Sequence, residues 1–215
     1  MVNPRCHLLV NVIEESQTYC DSERPRFDAG VCVNVLTLFY THGRGSEVKP
    51  TLLWIRDILL YRAYLEGTKY FNAPECLFFL VTRLLACSED AELHGMLQPL
   101  LKDRVQERIG AEGDALALAM RILVCNFVGI RNEVDLRGLL PLQCIDGGWE
   151  IGWIYRYGLT DISVGNRGLT TALAIKAIEA SSQMGAGTLT NPGRPSETGT
   201  QVSGRARIEY PLFRL

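Results

Sequence analysis

The chain has 215 residues, of which 47% are apolar, so it can bury a substantial core as one domain. Its formal net charge of −2 excludes the strongly basic surface that nucleic acid or an anionic membrane requires. The seven cysteines are scattered and form no CxxC pair, which favours a reduced, intracellular protein over a disulfide framework or a zinc ribbon.

No targeting or membrane segment is predicted. The apolar stretch from Leu8 to Val12 is shorter than the signal-peptide core of about 7 to 15 residues. The longer run at residues 115–128 contains Arg121 and falls below the roughly 20 residues that cross a bilayer. We therefore expect a cytoplasmic protein without a transmembrane segment.

The first element in chain order is the apolar segment Val31 to Tyr40. Its β-branched residues alone would allow a strand, but Asp28 is a candidate N-cap and Gly43 a candidate stop. A lone strand would also have no partner among the helical segments that follow. The segment is therefore predicted to be a helix.

Later helices begin at prolines and capping residues. Pro99 lies inside one of them and is expected to kink or split it. The pattern predicts about eight helices and no confident strand pair, which is an all-α chain. The predicted starts after the first helix are Pro50, Pro74, Asp90 or Ser88, Asp114, Asp135 and Thr170.

Composition divides the chain into three parts. Residues 1–16 are a lead-in, residues 17–181 the helical domain, and residues 182–215 a flexible tail rich in Gly, Ser, Thr and Pro. Apolar residues return between Ile208 and Leu215, and this end either frays, docks back on the domain or serves a partner.

The most informative motif lies between Arg137 and Tyr157. After the basic residue and Gly138, Gln143 is followed by three residues, Gly147, one residue and Trp149. This spacing resembles the QW repeat of squalene and hopene cyclases. In such a turn, the Gln side chain bonds free backbone groups while the indole packs across the link to the next helix, so Trp149 is interpreted first as a structural clamp.

The resemblance implies the α/α toroid of terpenoid cyclases and protein prenyltransferase β-subunits, as a partial or complete ring of helical hairpins. An earlier segment, beginning at Gln17 and leading through Asp28 to Phe39, is similar in pattern to the segment around Gly165. Helices that cannot bury their faces alone must stack on their neighbours. The helices at Val31, Asp114 and Thr170 are assigned to the inner layer.

The same resemblance suggests catalytic residues. Proton-initiated cyclases of this family carry a DxDD or DxDTT motif at the start of an inner helix. Here Asp28 is retained, but Gly30 stands where the proton donor would be. Asp28 is therefore more simply an N-cap. Asp28 and Asp161 are nevertheless the predicted catalytic residues.

Aromatic and basic side chains near the motif are the predicted substrate-binding residues, because an isoprenoid pocket is mostly apolar with few polar anchors. The arginines could meet a diphosphate or could pair with Asp28 and Asp161. The predicted substrate-binding set is Trp149, Trp153, Tyr155, Tyr157, Arg156 and Arg167.

No cofactor and no metal site are predicted. The DDxxD-like carboxylates that would hold magnesium are missing, and the three histidines lack zinc-ligand spacing. Mg²⁺ would be needed only if the substrate is a diphosphate. An oligomer or a subunit partner stays open.

Three functions are compatible with these observations. The first is a terpenoid-cyclase-like protein that binds, and could cyclise, an isoprenoid or similar apolar small molecule. The second is a noncatalytic helical toroid that serves as a ligand-binding or protein-interaction module. The third, an α/α-barrel carbohydrate enzyme, would require two facing carboxylates about 5 to 10 Å apart.

Overall fold

A computed structural model describes residues 28–157 and 162–186. Seven α-helices lie in this part of the chain, which confirms the all-α prediction. The helices are α1 (Ala29–Thr41), α2 (Lys49–Leu60), α3 (Pro74–Ala86), α4 (Ala91–Glu107), α5 (Ala115–Phe127), α6 (Glu133–Leu139) and α7 (Arg167–Ala186). Two short 3-10 helices, Gly45–Val48 and Leu140–Leu142, precede α2 and follow α6.

A small antiparallel sheet is present where no strand pair was expected. Its strands are β1 (Trp153–Arg156) and β2 (Ser163–Gly165), with Tyr155 opposite Val164 and an irregularity between Trp153 and Tyr155. The strands are only four and three residues long, so their periodicity is too short to be recognised in the sequence.

Local signals set most helix ends. Asp28, Asp90 and Asp114 cap α1, α4 and α5 through side-chain bonds to the third following amide, as predicted. Asn132, rather than Asp135, caps α6. The last helix runs to Ala186, five residues beyond the predicted domain boundary at 181.

Pro99 does not split α4, which continues for 17 residues. Its missing amide and ring clash cost a helix interior about 3 kcal/mol. The helix keeps its course because buried leucines on both sides of the proline, Leu93, Leu97 and Leu101, hold one face against the core.

The helices form two layers. One layer is a row in the order α1, α3, α5, α7, in which each helix contacts the next. The second layer contains α2, α4 and α6, which pack on the row. The three helices assigned to the inner layer from sequence therefore share a layer, together with α3. Alternation between layers is the arrangement that a toroid segment requires, while closure into a ring stays a prediction.

The core consists of two apolar clusters, and α5 contributes to both. The first cluster joins α1 to α4, and the second joins the start of α5 to α6, α7 and Trp149. As predicted from its continuous apolar sequence, α5 is buried on nearly every side. No described helix has the length and apolarity needed to span a membrane.

A buried ionic network links the layers through Arg121 on α5. Its Nε donates to Asp135 Oδ2 at 2.9 Å and its Nη1 to Glu75 Oε1 at 3.0 Å. A further Nη2 bond of 2.6 Å reaches the Ala111 carbonyl, and Arg108 Nε donates to the same Glu75 oxygen at 2.7 Å. Each buried carboxylate, Glu75 and Asp135, is thus paired with an arginine, which compensates the cost of burying its charge.

The connections that lead from the second layer into the row are residues 61–73, 108–114 and 143–166. They reach the N-terminal ends of α3, α5 and α7, and they include the part of the predicted motif from Gln143 onward and most of the predicted site residues. The candidate site therefore lies at this end of the row.

Candidate functional site

Asp28 joins the start of α1 to the connection that precedes α3. The side chain is 2% exposed, and its Oδ1 accepts a bond of 3.0 Å from the Val31 amide, which caps α1. Its Oδ2 accepts a bond of 2.9 Å from the Tyr70 amide. The N-cap interpretation is therefore confirmed, and the same carboxylate also holds the connection before α3.

Tyr70 and Phe71 in turn join β1. The Arg156 amide donates to the Tyr70 carbonyl at 2.7 Å, and Phe71 forms an antiparallel bridge with Tyr155. The Tyr155 ring stacks on Tyr70 with centroids 5.5 Å apart and meets Phe71 edge-on at 6.2 Å. We call Tyr70, Phe71 and β1 the aromatic ladder.

Asp114 anchors the other end of the aromatic ladder. Its Oδ1 accepts a bond of 2.9 Å from Ala117 and caps α5, while Oδ2 accepts a bond of 3.1 Å from the Trp153 amide. Asp28 and Asp114 therefore have the same two functions. The sequence interpretation found only the cap of Asp114; the signal for the second function is that both aspartates precede helices of the row.

Two glycines allow the aromatic ladder to approach the helices. A Cβ on Gly30 would lie 2.4 Å from Phe71 Cε2, and one on Gly152 would lie 2.2 Å from Leu116 Cβ. Any side chain at either position would therefore displace its neighbour. At position 30, where the resemblance places a proton donor, the Phe71 ring occupies the adjacent space.

Trp149 clamps α6 to α7. The residue is 1% exposed, its Nε1 donates to the Leu139 carbonyl at 3.0 Å, and its amide donates to Thr171 Oγ1 at 3.1 Å. Gln143 Nε2 donates to the Gly147 carbonyl at 2.8 Å across the turn. Trp149 thus joins the two helices as predicted, whereas the Gln143 side chain bonds a carbonyl of the turn rather than one at the helix end. Contact between the indole and a substrate would require this packing to open.

Arg167 lines an open cleft of about 550 Å³ between the 146–148 turn and α7. Its Nη2 lies 2.7 and 2.8 Å from the two carboxylate oxygens of Asp146. The hydrogen bond from Arg167 lowers the pKa of Asp146, and the same bond raises the pKa of Arg167. Among the described carboxylates, Asp146 rather than Asp28 is the partner of Arg167.

The remaining predicted residues lie on or next to the sheet. Trp153 is 49% exposed, and the Tyr157 amide donates to the Ile162 carbonyl at 2.9 Å beyond the end of β1. The structure therefore brings Asp28, Trp153, Tyr155 and Arg156 together through the ladder. Asp161 lies outside the described residues.

The described residues contain no group of three or more His, Cys, Asp or Glu side chains that could hold a metal ion. The aromatic ladder consists mainly of phenol, indole and phenyl rings. The carboxylates of Asp28 and Asp114 accept hydrogen bonds from its backbone amides. Such a surface can pack against an apolar molecule and stabilise positive charge through its ring faces.

Two comparisons with known proteins identify the chain's relatives. Residues 9–42 match the family described as the sesquiterpene cyclase astC-like C-terminal domain. The chain is 43% identical over 164 residues to the drimenol cyclase drtB of Aspergillus calidoustus, an alignment that covers 76% of this chain and 31% of the relative. The chain thus spans about a third of that relative's length. No solved structure matches significantly.

Proposed function

We propose, on the premise that this chain is terpenoid-cyclase-like over part of its length, that it binds an isoprenoid at the aromatic ladder and contributes to its cyclisation. The 43% identity to a drimenol cyclase is the observation that carries the proposal. Sequence relatedness at this level over 164 residues also supports a shared arrangement of helices.

The chemistry of the aromatic ladder suits an isoprenoid. Tyr70 and Tyr155 present stacked rings, and Trp153 leaves about half of its side chain open to contact. Apolar chains bury favourably against such rings, and the ring faces attract a carbocation. Arg156 and Arg167 are the proposed partners of a polar end group, although Arg167 would first have to exchange its bond to Asp146.

In the proposed reaction, the Asp28 carboxyl donates its proton to a terminal carbon–carbon double bond. The resulting tertiary cation is attacked by a second double bond, which closes a ring, and a proton is finally lost to a basic group. The net change is an isomerisation. Asp28 can donate only when one of its two backbone hydrogen bonds opens, and Tyr70 is the partner that lies outside its own helix. Asp161 is the second proposed acid or base.

A second function is favoured by a specific observation at Gly30. The ring of Phe71 fills the space next to the position where the resemblance places an acid, and both Asp28 oxygens are engaged in structure. A noncatalytic helical module that binds the isoprenoid, or a protein partner, would retain the aromatic ladder without a proton donor.

Mg²⁺ enters only as a companion of a diphosphate substrate. A cytoplasmic location and an oligomer or subunit partner complete the proposal.

The test is to incubate the purified chain with farnesyl diphosphate, geranylgeranyl diphosphate or squalene, each with and without Mg²⁺. Products are identified by mass spectrometry, and binding is followed as a rise in Tm. A cyclised product supports the enzyme, and magnesium dependence indicates ionisation rather than protonation. Stabilisation without product supports the binding module, whereas neither signal with any of the three probes overturns isoprenoid binding.

Asp28→Asn tests the proposed acid. Asn still caps a helix but holds no acidic proton, so we expect loss of product with the helix content unchanged by circular dichroism. Asp114→Asn is the matched control because Asp114 also caps a helix with one oxygen and holds an amide of the aromatic ladder with the other, but is not the proposed acid. Equal turnover in the two variants would remove Asp28 from the mechanism.

A further inference from the structure

Two buried hydrogen-bond donors, one on the connection after α2 and one on α4, have no acceptor in the described part of the chain. Tyr64 is 1% exposed and Arg104 is 8% exposed. The Tyr64 hydroxyl and Arg104 Nε are both inaccessible to solvent, and neither has a hydrogen-bond partner among the described residues. A buried donor without an acceptor destabilises a fold. Both atoms therefore indicate a site for an acceptor group.

The charges around the Tyr64 hydroxyl favour a negatively charged acceptor. Those that act on it are the arginines Arg62, Arg104 and Arg108 and the carboxylate of Glu107. Arg108 is paired with Glu75, which leaves two guanidinium groups against one carboxylate. Burial raises the pKa of Tyr64 to about 12, so the hydroxyl keeps its proton at neutral pH and can donate.

Glu107 occupies the place that an external anion would take. Its Oε2 accepts a bond of 2.8 Å from Arg62 Nε, and its Oε1 accepts bonds from Arg62 Nη2 at 2.6 Å and from Arg104 Nη1. This is the two-pronged geometry in which arginine binds carboxylate or phosphate. The side chains of Arg62 and Glu107 are 45% and 39% exposed, so this pair can open towards solvent.

The backbone of Arg62 supplies a separate observation. Its φ of 57° is the single positive φ of a non-glycine residue in the described part of the chain. Residues with a Cβ adopt this region at a cost in free energy, and such strain concentrates at ligand-binding and catalytic sites. The conformation places the guanidinium on Glu107, which lies 45 positions away in the sequence.

We propose that Arg62, Tyr64 and Arg104 form a binding site for a phosphate-class oxyanion, and that Glu107 fills this site until the anion replaces its carboxylate. The oxygens of the anion accept bonds from both arginines and from the Tyr64 hydroxyl, so the two buried donors gain an acceptor. The released Glu107 carboxylate is solvated by water. The proposal does not rest on isoprenoid binding.

Isothermal titration of the full chain with sodium diphosphate tests the site. Glu107→Gln removes the competing charge at nearly constant size, so we expect it to bind diphosphate about tenfold or more tightly than the wild-type chain. Glu47→Gln is the matched control, because Glu47 accepts the same two-pronged bond from Arg44 at an exposed position. Its affinity should equal that of the wild type. No binding by Glu107→Gln, or an equal gain in both variants, would overturn the proposal.

Tyr64→Phe separates binding from folding. The substitution removes only a hydroxyl that has no partner among the described residues, so Tm without an anion should not fall. The affinity of the Glu107→Gln chain for diphosphate should fall about tenfold or more when Tyr64→Phe is added, because a charge-assisted hydrogen bond is lost. An unchanged affinity would contradict the site, whatever the effect on Tm.

Farnesyl diphosphate and farnesol distinguish two sources of the anion. Binding of farnesyl diphosphate that is tighter than that of diphosphate and is weakened by Tyr64→Phe assigns the site to the head group of a lipid. Equal or weaker binding assigns it to a free anion, and both results support an oxyanion site. Farnesol lacks the anion, so a Tyr64-dependent affinity for farnesol would refute the proposal.

Discussion

The candidate site is held together by single side chains, each of which hydrogen-bonds two separate segments of the chain. Asp28 and Asp114 each use one carboxylate oxygen to cap a helix and the other to hold a backbone amide of the aromatic ladder. The cap is a local interaction between residues three positions apart, and it could be predicted from sequence. The second bond spans 42 residues for Asp28 and 39 for Asp114, so only the tertiary structure reveals it.

Asp114→Asn tests the anchoring bond at the residue scale. The Asn oxygen can still accept the Ala117 amide, but the Nδ2 group is a donor and cannot accept the Trp153 amide. We expect hydrogen exchange in residues 153–156 to accelerate, with a loss of about 1 kcal/mol in the free energy of unfolding. Asp90→Asn should leave this strand unchanged, and the same exchange in both variants would contradict an anchoring role.

Two cysteine thiols give a second test at this scale. Burial raises the pKa of Cys76 and of Cys125 to about 12, so both are protonated thiols at pH 8 and react slowly with iodoacetamide. Cys144 is partly exposed and is expected to react before Cys76 and Cys125. Mass spectrometry after alkylation of folded and urea-unfolded protein measures this order. Early labelling of Cys76 or Cys125 in folded protein would refute it.

At the scale of elements, Trp149 is the residue through which the turn between α6 and α7 holds these two helices together. Its indole bonds the carbonyl of Leu139, the last residue of α6, and its amide bonds Thr171 in α7. The Gln, Gly and Trp spacing predicted this clamp because all three residues lie within seven positions. The sheet that follows was not predicted, since β1 is held by partners in distant segments.

Trp149→Phe removes the indole donor while keeping an aromatic ring. The Leu139 carbonyl loses its partner and the smaller ring leaves a gap, so we expect a loss of about 1 to 3 kcal/mol in the free energy of unfolding. Trp153→Phe, at a half-exposed position, should cost less than about 0.5 kcal/mol. Urea denaturation measures both. Similar losses in the two variants would argue against the clamp.

At the scale of the whole molecule, the two layers of the described residues are joined by apolar packing and by the buried ionic network around Arg121. Arg121 on α5 bonds Asp135 on α6 and Glu75 on α3, and the Ala111 carbonyl before α5 accepts a third bond. Helix α5 also belongs to both apolar clusters. Disturbing this helix should therefore destabilise both clusters at once.

Arg121→Met tests this coupling. Removing one partner leaves buried carboxylates without their compensating charge, which typically costs about 3 to 5 kcal/mol. We expect the free energy of unfolding, measured by urea denaturation, to fall by this amount, and hydrogen exchange to become faster in both clusters. Arg131→Met removes an exposed pair with Glu133 and should cost less than about 1 kcal/mol. Destabilisation confined to one cluster would contradict the coupling.

The sequence by itself determined the features that depend on neighbouring residues: the helical periodicity, the aspartate caps and the clamp around Trp149. Each is carried by residues within a few turns, whose spacing is visible without the fold. Only the tertiary structure decided that α4 continues through Pro99, that Arg167 pairs with Asp146 and that Phe71 lies against Gly30. Those outcomes depend on which distant surfaces pack together, and local sequence patterns contain no record of that choice.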